Sequence, residues 1–306
     1  MKILLLGRNG QVGWELQRAL VPLGSVTALA RDDRDGLCAD LGQPDRLAAT
    51  VRHVAPDVIV NAAAYTAVDQ AEEEQEEAHA INATAPSVLA AEARALGALL
   101  VHYSTDYVFN GSGERPWNEG DKTAPLNVYG CSKREGERAV QESGCRHLIF
   151  RTSWVYAARG RNFIRTMLHL AAERDTLKVI GDQYGAPTGA ELIADVTAQV
   201  LARLAAKPEN GGLYHLAAAG ETTWHEYARF VIARACDDNW PVKVQEEAIE
   251  KVSTGFLPVK AARPLNSRLD CTQVKETFGI VLPDWRSGVL RALQEILACE
   301  GKEAIS

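Results

Sequence analysis

"KILLLGRNGQVGWELQRALVPLG", residues 2–24, reads as a buried strand over 2–7, a glycine turn, and a helix over 11–24 that Gly24 closes. Gly7, Gly10 and Gly13 stand between strand and helix in the spacing G-x-x-G-x-x-G. The three glycines permit, in turn, a tight turn out of the strand, close approach of backbone to a pyrophosphate, and close packing of helix on strand, with the helix N-terminus facing the phosphates. Glycine-rich turns also occur where nothing binds. Here the turn follows a strand directly and opens a helix directly, which is the context that gives such a spacing its meaning. No G-K-[ST] accompanies it, which argues against a P-loop kinase or ATPase.

Outward from this unit the alternation continues. "SVTALA" (25–30) is a second strand, "DRLAATVRHV" a helix, "DVIVNAA" (57–63) a strand, 71–95 a long helix, and "ALLVHYST" (98–105) a strand. A helix from about Tyr129 to Ser143 then precedes "HLIFRTSWVY" (147–156). Apolar strands in strict turn with helices mark a parallel sheet covered on both faces, so the first half is an α/β, doubly wound parallel-sheet (Rossmann) domain. The second half changes character. "LKVIGDQYGAPT" (177–188) is a strand followed by turn chemistry, and "ELIADVTAQVLARL" (191–204) is a helix able to return to the first domain. Thr223 and Glu226 make a capping box that starts another helix, and from Pro241 onward short irregular segments dominate. The expected division is a dinucleotide-binding domain of residues 1–156 plus about 188–215, and a smaller, discontinuous C-terminal substrate-binding lobe of about 157–187 plus 216–306.

A chain of 306 residues buries a full core without disulfides, and its six scattered cysteines form no C-x-x-C pair, as suits a reducing cytosol. With 33 basic against 40 acidic residues the formal charge is −7 and no basic tract occurs, which argues against nucleic acid or an anionic membrane as partner and for a small molecule. The five-residue apolar run at the N-terminus is too short for a signal peptide, and no stretch approaches a membrane span. The acidic run "EEEQEE" (72–77) reads as a solvated helix face.

The residue after the second strand separates the two nicotinamide cofactors, because an acidic group there takes the ribose hydroxyls and a basic one accommodates a 2′-phosphate. In "TALARDDRD" the strand ends at Ala30 and Arg31 follows, which favours NADPH, while Asp32 and Asp33 leave NADH open. Asp40 in "CADL" follows a short third strand and faces either the adenine amino group or the helix that begins near Pro44.

Ligands of such sheets bind beyond the carboxyl ends of the strands. There the chain places the small alanines of "NAAAYTAVD" (61–69), the hydroxyls Ser104 and Thr105 of "STDYVFNG", and then "NVYGCSK" (127–133). Tyr129 and Lys133 are four residues apart on a helix, so they share a face. Alone the pair is common by chance; three successive elements aimed at the edge that carries the glycine loop make it a catalytic set. A phenol titrates near 10 and a neighbouring cation favours the phenolate, so Lys133 is expected to lower Tyr129. Hydride arriving at a carbonyl carbon builds charge on its oxygen, which Tyr129 protonates while Thr105 donates a hydrogen bond. Nicotinamide must supply the hydride, since no side chain can.

With these residues the chain resembles the extended short-chain dehydrogenase/reductases, marked by the glycine loop, the Ser/Thr and Tyr-x-x-x-Lys, and within them the dTDP-4-dehydrorhamnose reductase family. Segments such as "DVIVNAAAYTAVDQAE", "VHYSTDYVFNG", "PLNVYGCSK", "DQYGAPTGAELIAD" and "RPLNSRLD" carry the narrower likeness from residue 7 to about 270. The resemblance implies NAD(P)H-dependent reduction of a 4-keto nucleotide sugar with Thr105, Tyr129 and Lys133 as the catalytic set. It assigns Gln11, Val12, Asp40, Leu41, Ala63, Ala64 and Tyr65 to the cofactor, and Thr66, Val68, Asp106, Tyr107 and Trp154 to the sugar side. Trp154 has a rival reading as a core aromatic. Arg263, Asn266 and Ser267 are candidates for the nucleotide diphosphate, since a guanidinium suits phosphate oxygens; a surface salt bridge is the alternative for Arg263. Ala30 departs from the acidic residue frequent in the family, which puts NADH preference in doubt. Some members hold Mg²⁺ between subunits, implying a homodimer here, through carboxylates matching Glu15, Glu191 and Glu295; the alternative for each is a solvated helix residue. Within the fold the rival activities are a nucleotide-sugar epimerase or dehydratase and a non-catalytic cofactor-binding regulatory subunit. A hydrolase lacks its G-x-S-x-G elbow.

Overall fold

The computed structural model describes residues 1–31, 36–256 and 258–303, with side chains through residue 299. Six parallel strands form the central sheet: β1 Lys2–Leu6, β2 Ser25–Leu29, β3 Val58–Asn61, β4 Leu99–Thr105, β5 Arg146–Thr152 and β6 Gly212–His215. They lie in the order β2-β1-β3-β4-β5-β6, so the sheet grows in opposite directions from β1 and its switch point falls between β1 and β3. Side chains alternate across a strand, and the two sets face two cores. Ile3 and Leu5 pack with Leu16 of α1 (Gln11–Leu20), while Leu4 and Leu6 pack with Leu47 and Val51 of α2 (Pro44–Val54). Leu89 of α3 (Ala85–Leu96) and Val140 of α4 (Val128–Glu142) complete the second face. Full burial of each such leucine or valine stabilises the fold by roughly 1.5–3 kcal/mol.

A third apolar cluster joins Ile164 and Leu168 of α5 (Phe163–Glu173) to residues further along the chain. α6 (Ala190–Leu204) returns to the first face, where Ile193, Val196 and Val200 meet Leu16, as expected from its sequence. The capping box at Thr223 and Glu226 starts α7 (Trp224–Asp237), whose Tyr227 and Val231 belong to the third cluster. Two helices lie where the sequence reads as irregular chain: α8 (Thr272–Phe278) and α9 (Trp285–Glu303). Val289, Ala292, Leu293 and Ile296 of α9 fill the third cluster at helical spacing. Val274 and Phe278 of α8, assigned by sequence to the smaller lobe, pack instead in the core that holds α1.

Other boundaries move for local reasons. The helix expected over 71–95 is three pieces, Val68–Ala71, Gln75–His79 and α3, joined by a π turn at Ala80–Thr84. Pro86 lacks the N–H that an unbroken helix would use there. The strand expected over 147–156 stops at Thr152, because Trp154 adopts a positive φ of 48° and Val155–Tyr156 pairs with Thr188–Gly189 instead. In place of the short third strand expected before Asp40, the described residues show a single bridge residue at Leu37, and Cys38 N–H donates to Thr50 Oγ1. No helix among the described residues is long and apolar enough to cross a membrane.

Candidate active site

The glycine loop closes as the spacing requires. Gly7 and Arg8 N–H both donate to Leu29 O at 3.0 Å, and Gly7 sits at φ 86°, a region that an L side chain rarely enters. A Cβ on Gly7 would lie 2.7 Å from Ala63 N, and one on Gly13 would lie 2.0 Å from Gly7 O. The loop therefore nests against the chain leaving β3, at the switch point of the sheet. Gly10 is the N-cap of α1 and offers no side-chain cap, so the first helical N–H groups, at Gln11 and Val12, stay turned toward the crevice mouth. This cradle fits a dinucleotide diphosphate. Two contacts tie it to the chain beyond β5: Asn162 Nδ2 donates to Gln11 Oε1 at 3.3 Å, and the Arg159 guanidinium lies 3.4 Å over the Trp14 ring.

At the adenosine end Arg31 is exposed, 3.5 Å from both Asp40 Oδ1 and Glu77 Oε1. Asp32 and Asp33 lie outside the described residues. Asp40 accepts from Gly42 N–H and Gln43 Nε2, which with Arg31 hold its carboxyl below its ordinary value; it closes the turn before α2 without capping the helix itself. Leu41 is buried in the core, so its side chain supports the loop from beneath. Ala63 is half-buried and Ala64 exposed at the crevice. Tyr65 donates its hydroxyl proton to Glu74 Oε2 at 2.6 Å.

At the chemical end Thr105 closes β4 and its hydroxyl donates to Asp106 Oδ1 at 3.2 Å; it also hydrogen-bonds the Tyr129 phenol. Asn127 caps α4 by accepting Gly130 N–H at 2.7 Å, which starts the helix at Val128, one residue before Tyr129. Tyr107 and Tyr129 meet edge to face, centroids 5.6 Å apart. Of the set expected from sequence, Thr105 and Tyr129 meet, and the lysine's expected effect on the phenol is corrected. Tyr129 is not lowered: burial pushes it up to about 12, against the Thr105 hydrogen bond, and Asp106 adds to the rise. The reason is where Lys133 points. Its Nζ donates to Tyr103 O at 2.6 Å, and burial brings its own value down to about 8.

On the sugar side Thr66 is exposed and Val68 half-buried where the first short helix begins. Arg263 is already paired: its guanidinium grips Asp69 in two bonds of 3.0 and 2.7 Å and also bonds Tyr107, so it stands at the crevice in an ion pair instead of as a free cation. Asn266 is spent internally, its Nδ2 donating to Arg115 O at 2.8 Å and its Oδ1 accepting Arg268 N–H, so its amide braces the loop. Trp154 stacks on Trp224 with centroids 3.7 Å apart; a side chain on Gly185 would strike its ring at 2.7 Å. It is half-buried and packs against the third apolar cluster, with its backbone in a conformation costly for a bulky residue.

Asp106 is 2% exposed; burial pushes it up to about 7, against the opposing influence of Ser267 and of the Thr105 hydroxyl, which donates to its Oδ1. The native state therefore keeps a proton that the unfolded chain has lost between about pH 4 and 7, and stability falls as pH rises through that window. Asp106→Asn should remove this slope: relative to wild type, its Tm should gain about 2–5 °C between pH 4 and pH 8, read by calorimetry on cofactor-free protein. A Tm difference that stays constant over that range refutes the buried proton.

The Mg²⁺ expected from the resemblance finds no ready cage. Glu15 and Asp195 flank Arg18 at 3.7 and 2.9 Å, while Glu191 and Glu295 both lie 3.3 Å from Arg291. Burial raises Glu191, and Glu295, Glu15 and Asp195 add to the rise, while the Arg291 guanidinium opposes it. Among the described residues no group of three His, Cys, Asp or Glu side chains is spaced to hold a metal.

Several working residues escape the sequence reading. Asn82, in the π turn, accepts Tyr65 N–H at 2.9 Å and donates to Ser132 Oγ at 3.1 Å, stitching the loop after β3 to α4. A π turn beside a proline is itself a signal of function that the pattern "INATAP" carries. Asn61 ends the apolar run of β3 and His102 follows that of β4, and both lie behind Lys133.

The profile of the RmlD substrate binding domain family matches residues 1–298. The dTDP-4-dehydrorhamnose reductase of Escherichia coli (strain K12) is 53% identical over 296 residues, covering 97% of this chain and 98% of that one. A dTDP-4-dehydrorhamnose reductase structure from Clostridium acetobutylicum superposes with TM-score 0.85 at 33% identity, covering 96% and 99% of the two chains. Another, from Bacillus anthracis in complex with NADP, gives 0.84 at 33% identity, covering 96% and 100%. Glycine cradle, sheet order and Thr–Tyr–Lys set thus sit in a chain alike from end to end to these enzymes, and it belongs to the RmlD substrate binding domain family.

Proposed function

We propose that the chain reduces the C4 ketone of dTDP-4-dehydro-β-L-rhamnose to dTDP-L-rhamnose, the last step in making this nucleotide sugar, with NADPH. The observation that carries this is the 53% identity, over nearly the whole of both chains, to an enzyme of that name. The site supplies the chemistry. Bound NADPH would rest its diphosphate in the Gly7–Gly13 cradle and supply the hydride. Tyr129, whose value near 12 keeps it protonated at neutral pH, is the acid for the ketone oxygen. Thr105, turning its single hydroxyl proton from Asp106 to the ligand, donates a second hydrogen bond to the same oxygen. Trp154 walls the sugar, and Arg263 with Ser267 borders the nucleotide end. In this reading residues 1–156 with about 188–215 hold the cofactor and the remainder holds the sugar nucleotide; the working form is a homodimer, whose mass sedimentation measures. Incubation with dTDP-4-dehydrorhamnose and each reduced nicotinamide, followed by loss of the reduced-cofactor absorbance, tests the activity. Stoichiometric cofactor consumption is expected; an epimerase or dehydratase would recycle its cofactor and consume none.

We assign Arg31, exposed beside Asp40, to the 2′-phosphate, and the NADP bound to the Bacillus anthracis relative supports that preference of cofactor. A charge-assisted hydrogen bond contributes about 1.5–3 kcal/mol, so Arg31→Ala should cut the NADPH/NADH ratio of kcat/KM by about 10- to 100-fold. An unchanged ratio removes the contact.

A further inference from the structure

Behind Lys133 runs a line of polar groups that the chemistry above leaves unused. Lys133 Nζ lies 3.4 Å from His102 Nε2, His102 Nδ1 lies 3.3 Å from Asn61 Nδ2, and Asn61 Oδ1 accepts Ala63 N–H at 3.2 Å. Lys133, His102 and Asn61 are 2%, 1% and 1% exposed, so water does not blur their roles. A backbone N–H can only donate, which fixes the Asn61 amide with its oxygen toward Ala63 and its NH₂ toward the ring. The NH₂ can only donate, so Nδ1 must accept. A neutral imidazole that accepts on Nδ1 carries its proton on Nε2, the atom facing Lys133. Burial and the lysine charge both hold His102 well below its ordinary value, so the ring is neutral.

We propose that Asn61 and His102 are positioning residues which present Lys133 with a hydrogen-bond donor instead of an acceptor, and so hold the lysine ready to release its proton inside the site. The inference rests on the reductase reading for its consequence in turnover, but not for its geometry. The groups around the lysine are few. α4 contributes Tyr129 and Glu137, whose carboxylate Arg151 of β5 engages at 2.8 and 2.7 Å. β4 contributes His102 and the Tyr103 carbonyl, β3 Asn61, and the π turn Asn82, which bonds the neighbouring Ser132. Glu137 favours the ammonium and burial favours the amine; burial prevails. With Nε2–H pointing at it, the amine form gains an acceptor's hydrogen bond, whereas the ammonium meets a proton.

Asn61→Asp tests this with almost no change of shape. One carboxylate oxygen still accepts from Ala63, the other accepts from Nδ1–H, and the ring tautomer reverses to offer Nε2 as acceptor to the ammonium. Long-range ¹H–¹⁵N correlation spectra of the cofactor-free wild-type protein should show His102 protonated on Nε2, with the signals assigned by their loss in His102→Phe. In Asn61→Asp the proton should sit on Nδ1, and the alkaline pH at which kcat falls should rise by about one unit, a tenfold change in proton concentration. A wild-type ring protonated on Nδ1, or an alkaline limb unmoved in a variant whose tautomer has reversed, overturns the proposal. The wild-type spectra need neither a folded variant nor substrate. A chain that fails to reduce the keto sugar yet shows Nε2–H loses the reductase reading and keeps the tautomer.

Discussion

Tyr129→Phe lowers kcat by about 10³-fold, within the 10²- to 10⁴-fold range of a lost general acid. The variant keeps what surrounds the hydroxyl. A phenylalanine ring fills the same place against Tyr107, whose edge-to-face contact needs no oxygen, and the glycine cradle is built from other residues. Cofactor affinity, followed by fluorescence titration, should therefore change by less than about threefold, since one hydrogen bond is the most that is removed. Single-turnover reduction measured beside that titration separates a lost acid from a disturbed fold. Near-normal turnover in the variant would assign the proton to another group, with Asp106, pushed up to about 7 and hydrogen-bonded to Thr105, the next donor in line. The pH dependence has a matching sign. Tyr129 holds its proton to about 12, so the loss of activity in mild alkali should follow Lys133, which titrates near 8.

Gly13→Ala should weaken NADPH binding by on the order of 100-fold, equal to about 2.7 kcal/mol. The added methyl would stand 2.0 Å from Gly7 O and 3.1 Å from Arg8 Cα, both backbone, so no side chain can swing away. Helix α1 must back off from the loop, and its first N–H groups leave the position that faces the diphosphate. Overpacking of this kind costs about 1–3 kcal/mol of stability as well. Thermal melts with and without NADPH separate the two effects: the apo protein loses a few degrees, and the stabilisation by cofactor almost vanishes. Gly10→Ala is the control. Its Cβ would be 3.3 Å from Gly7 O with nothing else near, so its effect on both measurements should be much smaller.

The first half of the fold is legible in the sequence because its signals are local. An apolar strand, a glycine turn and an amphipathic helix each declare themselves within a dozen residues, and alternation then fixes a parallel sheet. The sixth strand is hidden for the opposite reason. "GLYH" at Gly212–His215 is four residues long, and it is a strand only because β5 lies beside it. Helix α9 is hidden although it spans nineteen residues: glycine at 288 and scattered charges dilute its pattern, and its helicity rests on burying Val289, Leu293 and Ile296 against α7. At the site, residue identities are legible and electrostatics are not. Spacing places Tyr129 above Lys133, but whether the ammonium reaches the phenol or a backbone carbonyl depends on β4, about thirty residues earlier. Arg263 shows the same limit, since its partner Asp69 is nearly two hundred residues away.

The bridge from Arg159 and Asn162 to Trp14 and Gln11 has a practical result for anyone redesigning sugar preference. Under the proposed function, the segment that would be varied to reshape the sugar lobe also steadies the helix assigned to the dinucleotide. Libraries built around residues 157–162 will therefore drag coenzyme affinity along with substrate choice, and the indole of Trp14, partly open to solvent, offers an optical probe for noticing that trade before any assay is run.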